Sequence, residues 1–239
     1  MTPRTKGLLL GVLASVALST APTAIKWGFA AGLGPVPQLA LRLAVGAALL
    51  WAVLGAFNRD KVRIDRAGLF ACAVAGAANA LSLGAFYLAV ELIDASLAIM
   101  VFSAFPAVTL GLLLLRGERP TRLSWARLAL ALLGVYLLVG PGGQVHSLGL
   151  ALVGGTAVFY AFHLTWIQWR LGGYAARTVA LYVVSFMALF VGLAALVSGR
   201  LPPALNPTGW FVVLWTGAVA TALARLAMFA AVRAVGSGQ

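Results

Sequence analysis

Apolar runs long enough to cross a bilayer follow one another along almost the whole chain, near residues 7–27, 36–57, 67–91, 95–116, 122–140, 147–169, 178–198 and 208–233. A helix needs about 17–25 such residues to span the hydrocarbon core, so eight transmembrane helices are expected and little chain remains for anything else. Lipid offers no partner to backbone amides and carbonyls, which restricts spanning structures to helices and closed barrels. A barrel would alternate in polarity over short segments, whereas these runs are apolar on every side. The expected fold class is therefore an all-α integral membrane protein. The composition agrees: 62% of the 239 residues are hydrophobic and 9% are charged.

The charge of +12 invites a nucleic-acid reading, but its distribution decides otherwise. With the N-terminus placed in the cytoplasm, Arg4, Lys6, Arg59, Lys61, Arg63, Arg66, Arg116, Arg119, Arg122, Arg127, Arg170, Arg177 and Arg233 all fall on cytoplasmic segments, against Lys26 and Arg200 outside. That is a positive-inside pattern, with anionic lipid as the partner of the basic residues and no need of nucleic acid. The stretch Gly7–Leu18 followed by STAPTA has the look of a cleavable leader. Its apolar run continues through Ala24 and Ile25, so it is read as a retained helix. The single cysteine, Cys72, lies inside the third helix and is expected to pack as a small apolar side chain. The Ala-, Leu-, Gly- and Arg-rich composition fits a bacterial inner membrane.

Residues 23–27 read TAIKW and residues 165–169 read TWIQW. Sliding the chain against itself by 142 positions aligns 7–27 with 149–169, with seven of 21 residues identical. The same offset aligns 86–96 with 228–238. One duplication explains both matches. It divides the chain into a first unit, 1–142, with five helices, and a second, 143–239, with three. Five crossings invert the second unit relative to the first, and the loop charges agree: NRDKVRIDR after helix two is basic, while its counterpart SGRLPPALNP carries one Arg. Inverted repeats of this kind recur in secondary transporters, where two halves rock about a midplane site.

Several stretches also resemble a known family: PQLALRLAVGAALL with Arg42, then ANALSLGAFYLAVELIDASLAIMVFSAFPAVTLGLLLLRGERPTRLSWARLALALLGVYLLVG with Phe105-Pro106 and Gly117-Glu118, and the weaker second copy. In this order and spacing the chain resembles the drug/metabolite transporter superfamily, in its ten-helix EamA-type branch. The resemblance implies a bundle of two inverted five-helix repeats and a carrier of small organic metabolites, amino acids foremost. A complete second unit would end near position 284, so helices nine and ten are expected to be absent from this sequence. A fragment, a truncated gene, or two chains completing each other as a homodimer would each account for that. A membrane protein that does not transport, or that needs a partner chain, is the alternative function.

Ionisable and aromatic residues within the spans nominate a substrate site, since a buried charge in lipid is costly and points by default to a cavity. Arg42, two turns inside helix two, can clamp a carboxylate through paired donors or pair with backbone carbonyls or Glu91. Arg225 lies deepest in helix eight. Lys26 and Trp27, at the outer end of helix one, suit either an anionic substrate group or an interfacial anchor. His163 can relay protons or serve as a hydrogen-bonded core residue. With it on helix six stand Tyr160, Trp166 and Trp169, which together with Tyr87 offer either an aromatic cage or packing. Asn79 and Ser103 add uncharged polar groups, as does Ser82. Pro106 interrupts the backbone ladder of helix four, and Glu118 favours the start of helix five. No carboxylate is expected at a membrane centre, and the chain lacks the GxSG, HExxH or paired-acid patterns an intramembrane enzyme requires. The reading is thus a transporter, not an enzyme, with no cofactor or metal.

Overall fold

A computed structural model describes residues 3–57, 62–115 and 146–227, with residues 125, 126, 129, 130 and 133 singly between them. Every element among them is helical. Seven helical spans are long and apolar enough to cross a membrane: Gly7–Ala30, Pro35–Leu54, Arg66–Leu92, Ala95–Leu112, Ser147–Leu171, Ala176–Val197 and Pro207–Ala227. Eight are expected from the sequence, so the count among the described residues is one short. The span expected at 122–140 falls almost wholly outside those residues, as do Glu118 and the stretch 228–239.

Three of the seven spans are interrupted, two of them at prolines. The first divides into α1 (Pro3–Ser19) and α2 (Ala21–Ala30). Pro22 has no N–H to return to the Leu18 carbonyl, which breaks the ladder at this point. The fourth divides in the same way into α5 (Ala95–Phe102) and α6 (Phe105–Leu115), where Pro106 leaves the Phe102 carbonyl without its helical donor. In the last, α9 (Pro207–Gly217) runs into a π turn, Ala218–Leu223. There Thr221 Oγ1 donates to the Thr216 carbonyl five residues back, at 3.0 Å. The remaining helices are continuous: α3 (Pro35–Phe57), α4 (Arg66–Leu92), α7 (Ser147–Leu171) and α8 (Ala176–Val197).

Helix α4 is the hub, packing most extensively on α7 and next on α8. Water does not drive helices together inside lipid, so association rests on close packing of small residues and on interhelical hydrogen bonds. Accordingly Ala71, Cys72, Ala75 and Ala78 are buried on α4, and Leu43, Tyr87, Val90, Val153, Val183 and Met187 join α3, α4, α7 and α8 in one core. Glycine sets the approach of α3 to the last span: a Cβ on Gly46 would lie 2.6 Å from Thr221 Cγ2, and one on Gly217 would lie 2.7 Å from Val45 Cβ. Large apolar side chains such as Phe70, Leu193, Val197 and Phe211 face outward, a surface suited to lipid tails rather than water.

Among the described residues, two helices are capped by the side chain that precedes them. Asn206 Oδ1 accepts from the Gly209 amide at 2.7 Å to start α9. Asp65 Oδ1 accepts from the Gly68 amide at 2.9 Å to start α4, and from the Tyr174 hydroxyl at 2.6 Å. Chiefly the Tyr174 hydrogen bond, and then the Gly68 amide, hold the Asp65 carboxyl below its usual value of 3.8. A carboxyl whose folded value is depressed stabilises the fold above its unfolded value and loses that contribution as pH falls through the folded one. We therefore expect Asp65→Ala to unfold at a lower temperature than the parent at neutral pH, with the gap closing below the usual carboxylate range. Thermal unfolding of both proteins in detergent across acidic pH reads this directly.

Candidate functional site

The three interruptions meet around one cavity of about 610 Å³. Ser19, Ala21 and Pro22 border it at the first break, Phe102, Ser103 and Phe105 at the second, and Ala220 and Thr221 at the π turn. Irregular backbone at membrane depth is tolerated where it is buried in protein or lines a cavity, and broken helices at a shared site are a device of solute carriers.

Arg42 crosses from α3 to secure the π turn. Its Nε donates to Thr221 Oγ1 at 2.9 Å, Nη2 to the Ala220 carbonyl at 3.3 Å and Nη1 to the Tyr87 hydroxyl at 3.1 Å. Tyr87 is itself fixed edge-on against Phe29, with ring centroids 6.4 Å apart. The guanidinium is thus buried and structurally engaged, yet it lines the cavity. Arg225, two residues past the π turn, lines the same cavity.

Uncharged groups complete the lining. Asn79 Nδ2 lies 3.4 Å from His163 Nε2 and 3.4 Å from Met187 Sδ. Ser82 Oγ donates to the Thr156 carbonyl at 2.9 Å, tying α4 to α7. The lining also includes an aromatic cluster. Phe102 stacks on Phe105 at 5.2 Å, and Tyr160 meets both edge-on at 5.2 Å.

Of the eleven residues nominated from sequence, Arg42, Asn79, Ser103, Tyr160 and Arg225 line this cavity. Two stand behind it. Tyr87 accepts from Arg42, and His163 is fully buried, with Nδ1 2.9 Å from the Ala75 carbonyl. A carbonyl can only accept, so Nδ1 carries the proton and a neutral ring offers Nε2 to Asn79 as an acceptor. His163→Leu removes that acceptor, and at about 1–3 kcal/mol for a buried group left unpaired the loss is measurable by unfolding in detergent.

The other four nominees lie elsewhere. Lys26 lines a separate, more open cavity of about 550 Å³ with Glu91, Asp94 and His146. Trp27 is exposed. Trp166 donates to the Ala71 carbonyl at 3.1 Å and carries Arg170 over its ring at 5.4 Å. Trp169, like Trp166, is absent from the cavity wall. Thr221, Thr156, Phe86 and Phe102 contribute to the wall without having been singled out from sequence, and Phe105, marked there only as part of the family-like Phe105-Pro106 pair, joins them.

A bundle of broken membrane helices enclosing a dibasic, aromatic-walled chamber defines a multi-pass membrane protein built to hold a small solute. The model of the EamA-like transporter family matches residues 5–140, more than half of the chain, and the protein belongs to that family, within the drug/metabolite transporter superfamily. Its class is therefore that of membrane transporters of small solutes. A solved structure, titled only "Crystal structure of protein", shares the fold with a TM-score of 0.68 at 21% identity, over 95% of this chain and 79% of that one. No curated protein matches the chain.

Proposed function

We propose that the protein is a secondary transporter of the bacterial inner membrane, with its N-terminus in the cytoplasm, moving small organic metabolites by alternating access. Amino acids and related carboxylate-bearing solutes are the substrate class. The observation that carries this reading is the meeting of three helix interruptions around a cavity lined by Arg42 and Arg225. Interrupted helices are the places where a bundle can flex without unpairing a whole ladder, and a cavity at their meeting point is where flexing changes access.

The two units, 1–142 and 143–239, supply the rocking halves. Residue pairs separated by 142 positions support the division, because both members of Leu18/Tyr160, Asn79/Thr221, Ser82/Ala224 and Leu83/Arg225 line the same cavity. A pseudo-dyad passing close to the cavity would bring such pairs together.

Uptake of labelled solutes into proteoliposomes holding the purified chain tests the reading. Accumulation or exchange above protein-free vesicles, abolished by excess unlabelled solute, is the expected result. A protein that folds and inserts but moves no solute across a broad panel of carboxylates, amines and neutral metabolites would be the non-transporting membrane protein instead.

A further inference from the structure

The cavity carries two cations, and none of the carboxylates among the described residues lines it. Asp65 is engaged by Tyr174 and Gly68 at one end of the bundle, and Glu91 and Asp94 line the separate cavity with Lys26. Arg42 uses three of its donors on Thr221, Tyr87 and Ala220. Arg225 is different: no described residue hydrogen-bonds or ion-pairs with it, and its repeat counterpart is the apolar Leu83 on the same cavity. A guanidinium in a largely apolar chamber at membrane depth is unfavourable until an anion offsets its charge. The same cavity is lined by Phe102, Phe105 and Tyr160, whose rings pack on one another.

From these placements we infer that the chamber selects organic anions, taking a carboxylate or similar oxyanion on Arg225 and an apolar or aryl body against Phe102, Phe105 and Tyr160, and that it discriminates against an added ammonium. The inference rests on the transport reading and, among the carboxylate-bearing solutes named there, ranks acids without an amine ahead of the amino acids. A guanidinium presents a planar fork of donors matched to a carboxylate. An ammonium on the same solute meets two like charges and no described carboxylate to offset them, so a zwitterionic amino acid is disfavoured relative to the acid that lacks the amine.

Three aryl probes with the same two-carbon link from ring to charged group isolate the charge: 3-phenylpropionate, phenylalanine and phenethylamine. Binding to the purified full chain in detergent, by calorimetry at neutral pH, is expected to favour 3-phenylpropionate at least about tenfold over either of the others, the scale of one charge-assisted hydrogen bond. Arg225→Gln should weaken 3-phenylpropionate by about tenfold or more and narrow its lead over phenylalanine, while Arg225→Lys keeps part of both. If Arg225→Gln elutes as misfolded protein, the parent's ranking of the three probes and the lysine variant carry the test. Equal or tighter binding of phenylalanine or phenethylamine, or no binding of 3-phenylpropionate, overturns the inference. Proteoliposome flux separates the two levels. Flux of amines or zwitterions in preference to the acid leaves transport standing and removes anion selection. Selective binding of the acid without flux of any probe does the reverse.

Discussion

Arg42→Ala is expected to lower solute flux by about a hundredfold, the equivalent of ~2.7 kcal/mol at ~1.36 kcal/mol per factor of ten, and to destabilise the bundle at the same time. The two effects share a cause. Arg42 is the link from α3 to both the π turn and α4, through Thr221, Ala220 and Tyr87. Truncation leaves the fully buried Tyr87 hydroxyl without its donor and frees the π turn from α3. At about 1–3 kcal/mol for each buried group left unpaired, the total is about 3 kcal/mol or more, and it falls on the segment that also presents Arg225. Arg42→Lys recovers only part, because an ammonium on a flexible stem cannot reach three partners in one plane. Flux in proteoliposomes together with unfolding in detergent reads both effects, and wild-type flux from Arg42→Ala would remove the π turn from the account.

A second large effect is expected from Gly217→Val. Any Cβ there lies 2.7 Å from Val45 Cβ and Cγ1 and 3.0 Å from the Arg42 carbonyl. A contact of that length against backbone and a β-branched stem is not relieved by a rotamer change, so α3 and α9 must separate. Overpacking of this kind costs typically about 1–3 kcal/mol. Here the separation also pulls Arg42 from Thr221. Removing the opposing Cβ tests the cause: Val45→Gly should lower the unfolding midpoint of Gly217→Ala by less than it lowers that of the parent. Equal shifts in the two backgrounds would place the strain elsewhere.

The spans were legible because length and uniform apolarity are sufficient signals for a membrane helix. The breaks at Thr20 and at Ser103-Ala104 were half legible, since Pro106 marks the second and Pro22 the first, yet 7–27 reads as one helix from sequence. Nothing in AVATAL distinguishes a π turn from ordinary helix, so the role of Thr221 stayed hidden. The aromatic series on α7 misled for a geometric reason. At about 100° per residue, steps of three drift by roughly 60° around the axis. From Tyr160 through His163 and Trp166 to Trp169 the series turns about half a circle, so the two ends face opposite sides. Tyr160 reaches the cavity, His163 stands behind it, and Trp166 ties α7 to α4 through the Ala71 carbonyl. Arg42 and Arg225 were nominated because charge in lipid needs a reason. Their shared cavity depends on the crossing of α3 with the last span, which no local pattern encodes.

Alternating access makes a demand on Ser103 that a static bundle does not. Among the described residues its Oγ donates only to the Ile99 carbonyl of its own helix, at 2.8 Å, so cysteine is tolerated there, and Cys72 can be replaced by alanine to leave a single thiol. A membrane-impermeant thiol reagent applied to sealed right-side-out and inside-out vesicles then reports which side the cavity opens to. The account predicts labelling of Ser103→Cys from both sides, with an added transported solute slowing each. Labelling from one side only under every condition, or from neither, would contradict it.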